Sequence, residues 1–241
     1  MSQDSSKLTR QERRSAIVGM LLGDASLYRN RFADGSYRGL PLLKVTHSIK
    51  QVAYLEWKRE IVQPMFGYPL VIVNRENSAQ NGKRYPVAVL QTRTNPQFTR
   101  LYRMMYPEPL RKKRVTRTIL DMLDDRGMAC WYLDDGCLSQ TVGRGATVIL
   151  ATNSYTLEEN ELIRDWIAEQ YGVTFNINVH QKTGTHNLRR GVSDACKMLD
   201  AIAPYVIPSM RYKVEYPQPK RGAWYKLQST VPGPESAQAE G

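Results

Sequence analysis

The sequence predicts an α/β (α+β) fold of two αββαββα modules related by a pseudo-twofold axis, and three observations carry that prediction. The stretch AIVGMLLGDASL at 16–27 recurs in character as ACWYLDDGCLS at 129–139, with Gly19 opposite Cys130, Gly23 opposite Asp134 and Asp24 opposite Asp135, an offset of 111 (135 − 24). The elements that follow each copy come in the same order, the signature of an internal repeat. Both series end alike, in PLRKKRV (109–115) and PSMRYKV (208–214), where Lys113 meets Lys213.

Each half opens with an apolar helix and enters a β-like stretch that closes on THS (46–48) or TNS (152–154). A second helix follows, AYLEWKREIVQPMFG (53–67) or TLEENELIRDWIAEQYG (156–172), the latter opened by Thr156 and Glu159 at capping-box spacing. Gly67 and Gly172 are placed to cap their C-termini. Strands come next: PLVIVNREN and RYPVAVLQTR joined by SAQNGK, then VTFNINVHQK and HNLRRGVS around Thr183–Gly184. A last helix falls near 96–106 and near 193–203. The modules are therefore drawn at 12–115 and 128–215, with 116–127 as linker, and the small, Pro/Gly-rich tail 229–241 is expected to be disordered.

The chain has 241 residues, 41% of them hydrophobic, enough for a real core. Its 34 Lys+Arg against 23 Asp+Glu leave a net charge of +11, and its basic residues are spread along the chain, which favours nucleic acid over a membrane surface. Arginine outnumbers lysine, 22 to 12. The three cysteines have no metal spacing and are odd in number, which points to a reducing interior. Without a signal core or an apolar run of about 18 residues, the expectation is a soluble intracellular protein of a bacterial or archaeal cytoplasm, or of an organelle that encodes it.

Why an apolar helix should end in adjacent carboxylates is the chemical question. Acids at a helix C-terminus face the negative end of its dipole and cost about 0.3–1 kcal/mol each. Gly19 and Gly23 lie one turn apart and allow close backbone approach, so the two motif helices are expected to pack on the pseudo-twofold axis and bring Asp24 and Asp135 together. Two bare carboxylates about 5 Å apart repel by roughly 3 kcal/mol at an effective dielectric near 20. A divalent cation removes that cost, and magnesium suits a site of few protein oxygens completed by water and phosphate. Metal between two acids, flanked by basic strands, points to phosphodiester hydrolysis. Lys113 and Lys213 are candidates to stabilise the charged transition state or to clamp phosphate. His47, His180 and His186 are read as forming no metal-ligand cluster and as supplying no base.

These residues resemble the LAGLIDADG homing endonucleases in their single-chain, two-motif form, through IVGMLLGDA (17–25) and MACWYLDDG (128–136) and over most of residues 12 to 215. The resemblance implies antiparallel sheets forming a saddle over the DNA major groove, with the motif helices at the module interface. It implies metal at Asp24 and Asp135, with Gly23 and Asp134 beside them, and paired active-site lysines at Lys113 and Lys213, Lys112 being the rival for the first. Family members leave 3′ overhangs; magnesium is the expected cofactor, with manganese substituting and calcium binding without supporting cleavage. No splicing residues of an intein are seen, so a monomeric intron-encoded enzyme is the similar case. The alternative within the same fold is an intron RNA maturase, alone or as a second activity, with the host-intron RNA as partner.

Strands of roughly 7–10 residues at about 3.4 Å rise track about 24–34 Å of groove per half, or on the order of 14–20 base pairs in all. The residues expected to read them are Arg29, Arg31, Arg38, Lys44, Asn74, Arg75, Arg84, Gln91 and Arg93 in the first half. In the second they are Gln140, Arg144, Asn176, Asn178, His180, Lys182, Arg189 and Arg190.

Overall fold

The computed structural model describes residues 7–34, 36–78, 83–109, 112–141 and 145–216. Helix α1 (Arg10–Leu22) starts at a capping box in which Thr9 Oγ1 accepts from the Glu12 amide at 3.2 Å and Glu12 Oε2 accepts from the Thr9 amide at 2.8 Å. Strands β1 (Ser26–Arg31) and β2 (Tyr37–Ser48) follow, then α2 (Val52–Val62), β3 (Ile72–Ser78), β4 (Arg84–Gln91) and α3 (Phe98–Met105). The single turn α4 (Arg117–Leu120) leads into α5 (Asp125–Asp135), which also takes up the last residues of the expected linker. The second series is β5 (Gly136–Thr141), β6 (Gly145–Leu150), α6 (Leu157–Tyr171), β7 (Asn176–Val179), β8 (His186–Gly191) and α7 (Val192–Ile202), closed by a 3₁₀ segment at Pro208–Lys213.

The two antiparallel four-stranded sheets have the same order, β1-β2-β4-β3 and β5-β6-β8-β7. Alternation sets their faces. In β2, Leu43, Val45 and His47 are buried while Lys44 and Thr46 between them are not, and the buried set pairs with Leu90 and Ala88 of β4. The apolar face packs on helices and leaves the other face of each sheet open.

At the centre α1 packs along α5, each apolar on nearly every side: Ala16, Val18, Met20 and Leu21 are fully buried, as are Met128, Ala129, Trp131 and Tyr132. Small residues make this possible. A Cβ on Gly19 would sit 1.9 Å from the carbonyl oxygen of Gly127, and one on Gly23 would sit 2.5 Å from Asp134 Cβ. The glycine that lets α5 approach is thus Gly127, one turn before the position matched to Gly19. The N-terminal ends are tied by Ser15 Oγ, which donates to Asp124 Oδ1 at 2.6 Å and accepts from the Asp124 amide at 2.8 Å, while the same carboxylate caps α5 through the Gly127 amide.

Two expectations need correction. Helix α2 stops at Val62, well before Gly67, and passes into a 3₁₀ turn at Gln63–Met65. Pro64 is the reason, because its ring has no amide hydrogen and collides with the carbonyl four residues back. Strand β7 is also short, since the chain from His180 to Thr185 forms the turn, with Gly184 at φ 66° and the His180 amide donating to the Thr185 carbonyl at 2.8 Å. Thr156 and Glu159 do form a capping box on α6, and Gly172 ends that helix in the left-handed region. The tail 229–241 and most of the SAQNGK turn lie outside the described residues. No described helix is long and apolar enough to cross a membrane.

The helix seam has a measurable consequence. Gly19→Ala should destabilise the protein by about 1–3 kcal/mol, because the atom it meets is backbone and cannot swing aside. Gly67→Ala, which meets nothing, should stay within about 0.5 kcal/mol. Urea unfolding of the two variants checks this, and equal effects would remove the seam from the account.

Candidate active site at the ends of the paired helices

Asp24 follows the last turn of α1 and Asp135 is the last residue of α5, so the helix pairing places one acid from each half at the same end of the seam. Burial raises the pKa of both, with Asp134 as the next cause, and Asp24 adds to the effect on Asp135, which is pushed up to about 7. Lysine ammoniums oppose the shift, Lys58, Lys213 and Lys113 at Asp24 and Lys113 at Asp135.

Lysines from the two module ends reach the same place. Lys113 Nζ donates to the carbonyls of Gly23 (2.9 Å) and Ala25 (3.1 Å); Lys213 Nζ donates to those of Leu133 (2.6 Å) and Asp134 (3.3 Å). Each ammonium meets the exposed carbonyls of one helix C-terminus, where a positive charge is favoured. Burial lowers both lysine pKa values, and the nearby aspartates oppose the shift. Lys112, the neighbour in the sequence, is exposed.

The carboxylate of Asp134 is fully buried. Its Oδ1 accepts from Lys58 Nζ at 2.5 Å and Tyr54 Oη at 2.8 Å, and its Oδ2 accepts from the Asp24 amide at 3.1 Å. The Asp134 main-chain carbonyl accepts from Lys213. Lys58, from α2, is buried to 0% exposure, and its Nζ also lies 2.9 Å from His47 Nε2. The opposite ring nitrogen of His47 stands 3.6 Å from Asp24 Oδ2.

The expectation that no histidine joins the site is thus overturned. Asp24, His47 and Asp134 each bring one ligand atom within 4.8 Å of the others. An ammonium, that of Lys58, already sits among them. Burial, with Lys58 as second cause, lowers the His47 pKa to about 4, so the ring is neutral at pH 7. Sequence reasoning missed Lys58 and Tyr54 as well. The one signal available was their spacing, four residues apart on the apolar face of a helix, where a lysine is out of place.

The sheet residues sort by register. Arg38, Lys44, Arg75 and Gln91 share the open face of the first sheet, opposite the buried set. Asn74 and Arg84 alternate to the other side, where Arg84 Nη1 donates to Glu76 Oε2 at 3.1 Å. Arg29 sits at the irregularity between Tyr28 and Asn30; its guanidinium donates to the Gly39 and Tyr37 carbonyls and braces the hairpin. Arg93 lies beyond β4 with its guanidinium 4.6 Å over the Tyr68 ring. In the second sheet Asn176, Asn178 and Arg189 share the open face. Arg190 pairs with Val148 on the helix side and bridges to Asp194 at 2.6 Å, while His180 and Lys182 belong to the turn. For Arg29, Asn74, Arg84 and Arg190 the expected place on a groove-facing surface is therefore corrected: alternation, or a bulge in it, turns them away. Arg144 lies outside the described residues, as do the side chains of Arg31 and Gln140.

The raised pKa of Asp135 fixes a sign. The folded chain holds a proton that the unfolded chain releases between about pH 4 and 7, so this carboxyl lowers stability as pH rises through that window. In chelator-treated protein, Asp135→Asn should melt above wild type by a smaller margin at pH 5 than at pH 8. A gap that is the same at both pH values contradicts the assignment.

Comparison with known proteins accords with this geometry. The model of the LAGLIDADG DNA endonuclease family matches residues 14–195. A RecA protein of Mycolicibacterium flavescens is 25% identical over 206 residues, covering 82% of this chain and 45% of its own length, so the chain spans under half of the first curated relatives it matches. The cytochrome b mRNA maturase bI2 of Debaryomyces hansenii is 27% identical over 201 residues, 82% of this chain and 71% of the maturase. Among solved structures, the homing endonuclease I-WcaI bound to its DNA recognition sequence superposes with a TM-score of 0.71 at 20% identity, over 89% of this chain and 92% of that one. With two copies of the motif helix paired at its centre and an acid at the end of each, this chain belongs to the LAGLIDADG DNA endonuclease family.

Proposed function

We propose that this chain is a site-specific double-strand DNA endonuclease that recognises a long asymmetric target and hydrolyses one phosphodiester in each strand, leaving 3′ overhangs. The observation that carries this reading is the convergence of Asp24 and Asp135, one from each half, between two lysines and beside two sheets with open faces. The modules are taken as 12–115 and 128–215, and both acids are in one chain, so a monomer suffices.

The donor set fits magnesium. Two carboxylates whose pKa values burial raises, and two main-chain carbonyls that already accept from ammonium groups, are hard oxygen donors of the kind magnesium takes. Asp24, Asp135 and the carbonyls of Gly23 and Asp134 would hold the ion, manganese would replace it, and calcium would bind without cleavage. Bound there, magnesium supplies Lewis acidity toward phosphate and water. Asp24 and Asp135 orient what they hold, each toward the scissile phosphate of one strand. Lys113 and Lys213 bring positive charge to the phosphate as negative charge develops on it. The open faces carry Arg38, Lys44, Arg75, Gln91, Asn176, Asn178 and Arg189 to the major groove, where their donors match purine acceptors.

A second reading, an intron RNA maturase or a protein with both activities, is favoured by the likeness to the maturase over most of both chains. The two acids favour cleavage, since bare carboxylates beside a phosphate backbone weaken simple binding.

Asp24→Asn and Asp135→Asn should each abolish linearisation of a target plasmid while gel-shift affinity for the same DNA stays within about threefold, the pattern of groups that act on the reaction more than on binding. Undiminished linearisation by either variant would exclude that acid from the site. Wild-type affinity should fall by about a thousandfold between 50 and 200 mM salt if some six phosphates are contacted. A flat salt response is incompatible with sheets tracking the backbone.

A further inference from the structure

The side chains around Asp24 and Asp135 differ in a way the repeat does not predict. Lys58 Nζ can only donate, so His47 Nε2, 2.9 Å away, must be the acceptor nitrogen of a neutral ring. The ring proton is then on Nδ1, which stands 3.6 Å from Asp24 Oδ2; the Gln51 side chain hydrogen-bonds the same ring. That separation is longer than a formed hydrogen bond, and contacts of this kind tighten when substrate is in place. Lys58 is itself held by the buried Asp134 carboxylate, whose other oxygen accepts from the Asp24 amide. Asp24 is thereby held at its backbone amide, with His47 Nδ1 standing beside its carboxylate, by one network that crosses between the halves.

Among the described residues no histidine–lysine pair of this kind serves Asp135. The residue matching His47 is Asn153, exposed and donating to Thr185 Oγ1 at 3.1 Å. The buried residues of α6, from Glu159 to Ile167, include no lysine, and the position matching Asp134 is Gly23.

We propose that His47, held by Lys58 as the Nδ1–H tautomer, is a positioning residue for Asp24, so that hydrolysis of one DNA strand depends on this network and hydrolysis of the other does not. The proposal rests on the endonuclease reading above. It concerns placement of a carboxylate, with no proton transferred in the chemical step.

The test uses the full chain with magnesium and a duplex, recovered from a random-sequence library by its cut ends, with each strand carrying its own label. In single-turnover reactions His47→Ala should slow one strand by about tenfold or more and leave the other within about twofold, the scale of a misplaced catalytic group, so that nicked duplex accumulates. His47→Asn, whose amide nitrogen falls near the Nδ1 position, should restore the slowed strand to within about threefold. His47→Gln moves the amide toward the Nε2 position and should not restore it. Asn153→Ala should leave both strands unchanged. If His47→Ala does not fold, as judged by its thermal melt, the contrast between Asn and Gln carries the same test. Equal slowing of both strands, wild-type rates in His47→Ala and His47→Gln, or equivalence of Asn and Gln would each overturn the proposal while wild-type cleavage leaves the nuclease intact. A folded wild type that cuts no duplex overturns both.

Discussion

The close approach of α1 and α5 is the constraint on which the site depends. It needs a glycine where each helix meets the backbone of the other, Gly19 against Gly127, and leaves Gly23 against the Asp134 side chain. Separating the axes to admit a single methyl group would move the helix C-termini apart, and with them Asp24 and Asp135. Close packing in the seam and the electrostatic strain of two neighbouring acids are thus one feature seen at two places along the same pair of helices. The ends of the seam are treated differently: Ser15 and Asp124 close one with ordinary capping bonds, whereas the other is left with paired acids and two lysine ammoniums on its free carbonyls.

The repeat supplies symmetry and the side chains withdraw some of it. Lys113 and Lys213 perform the same task on the two helix ends. Asp134 has no counterpart acid in the first half, where Gly23 stands, and its buried carboxylate is met by Lys58, Tyr54 and the Asp24 amide together. A buried ion pair offers little net stability once desolvation is counted, although removing one member is costly because the other is left uncompensated. Its contribution here is geometric, since it joins α2 of one half to α5 of the other within reach of Asp24.

Much of this was legible in the sequence, and the limits are physical. The repeat exposed the element order, Gly19 and Gly23 of the seam and the two acids, because a helix ending in carboxylates against its own dipole is conspicuous; Gly127, off the matched position, was not legible. Capping at Thr156 and Gly172 could be read from local chemistry alone. Gly67 misled because Pro64, three residues earlier, had already ended the helix. His47 and Lys58 stayed hidden because their meaning lies in contacts across 76 to 87 positions of chain to Asp134, which no local pattern encodes. The strand residues were named as a set, and only register and the irregularity between β1 and β2 separate those on the open face from those on the helix side.

The most direct test is a ¹³C NMR titration of the Asp24 and Asp135 carboxyl groups in chelator-treated protein, repeated with magnesium. The account predicts that both titrate above the ordinary aspartate range, Asp135 near 7, and that magnesium drives both downward together. Two ordinary carboxyls that ignore magnesium would contradict it, since the helix seam would then bring no pair of acids together in need of a cation.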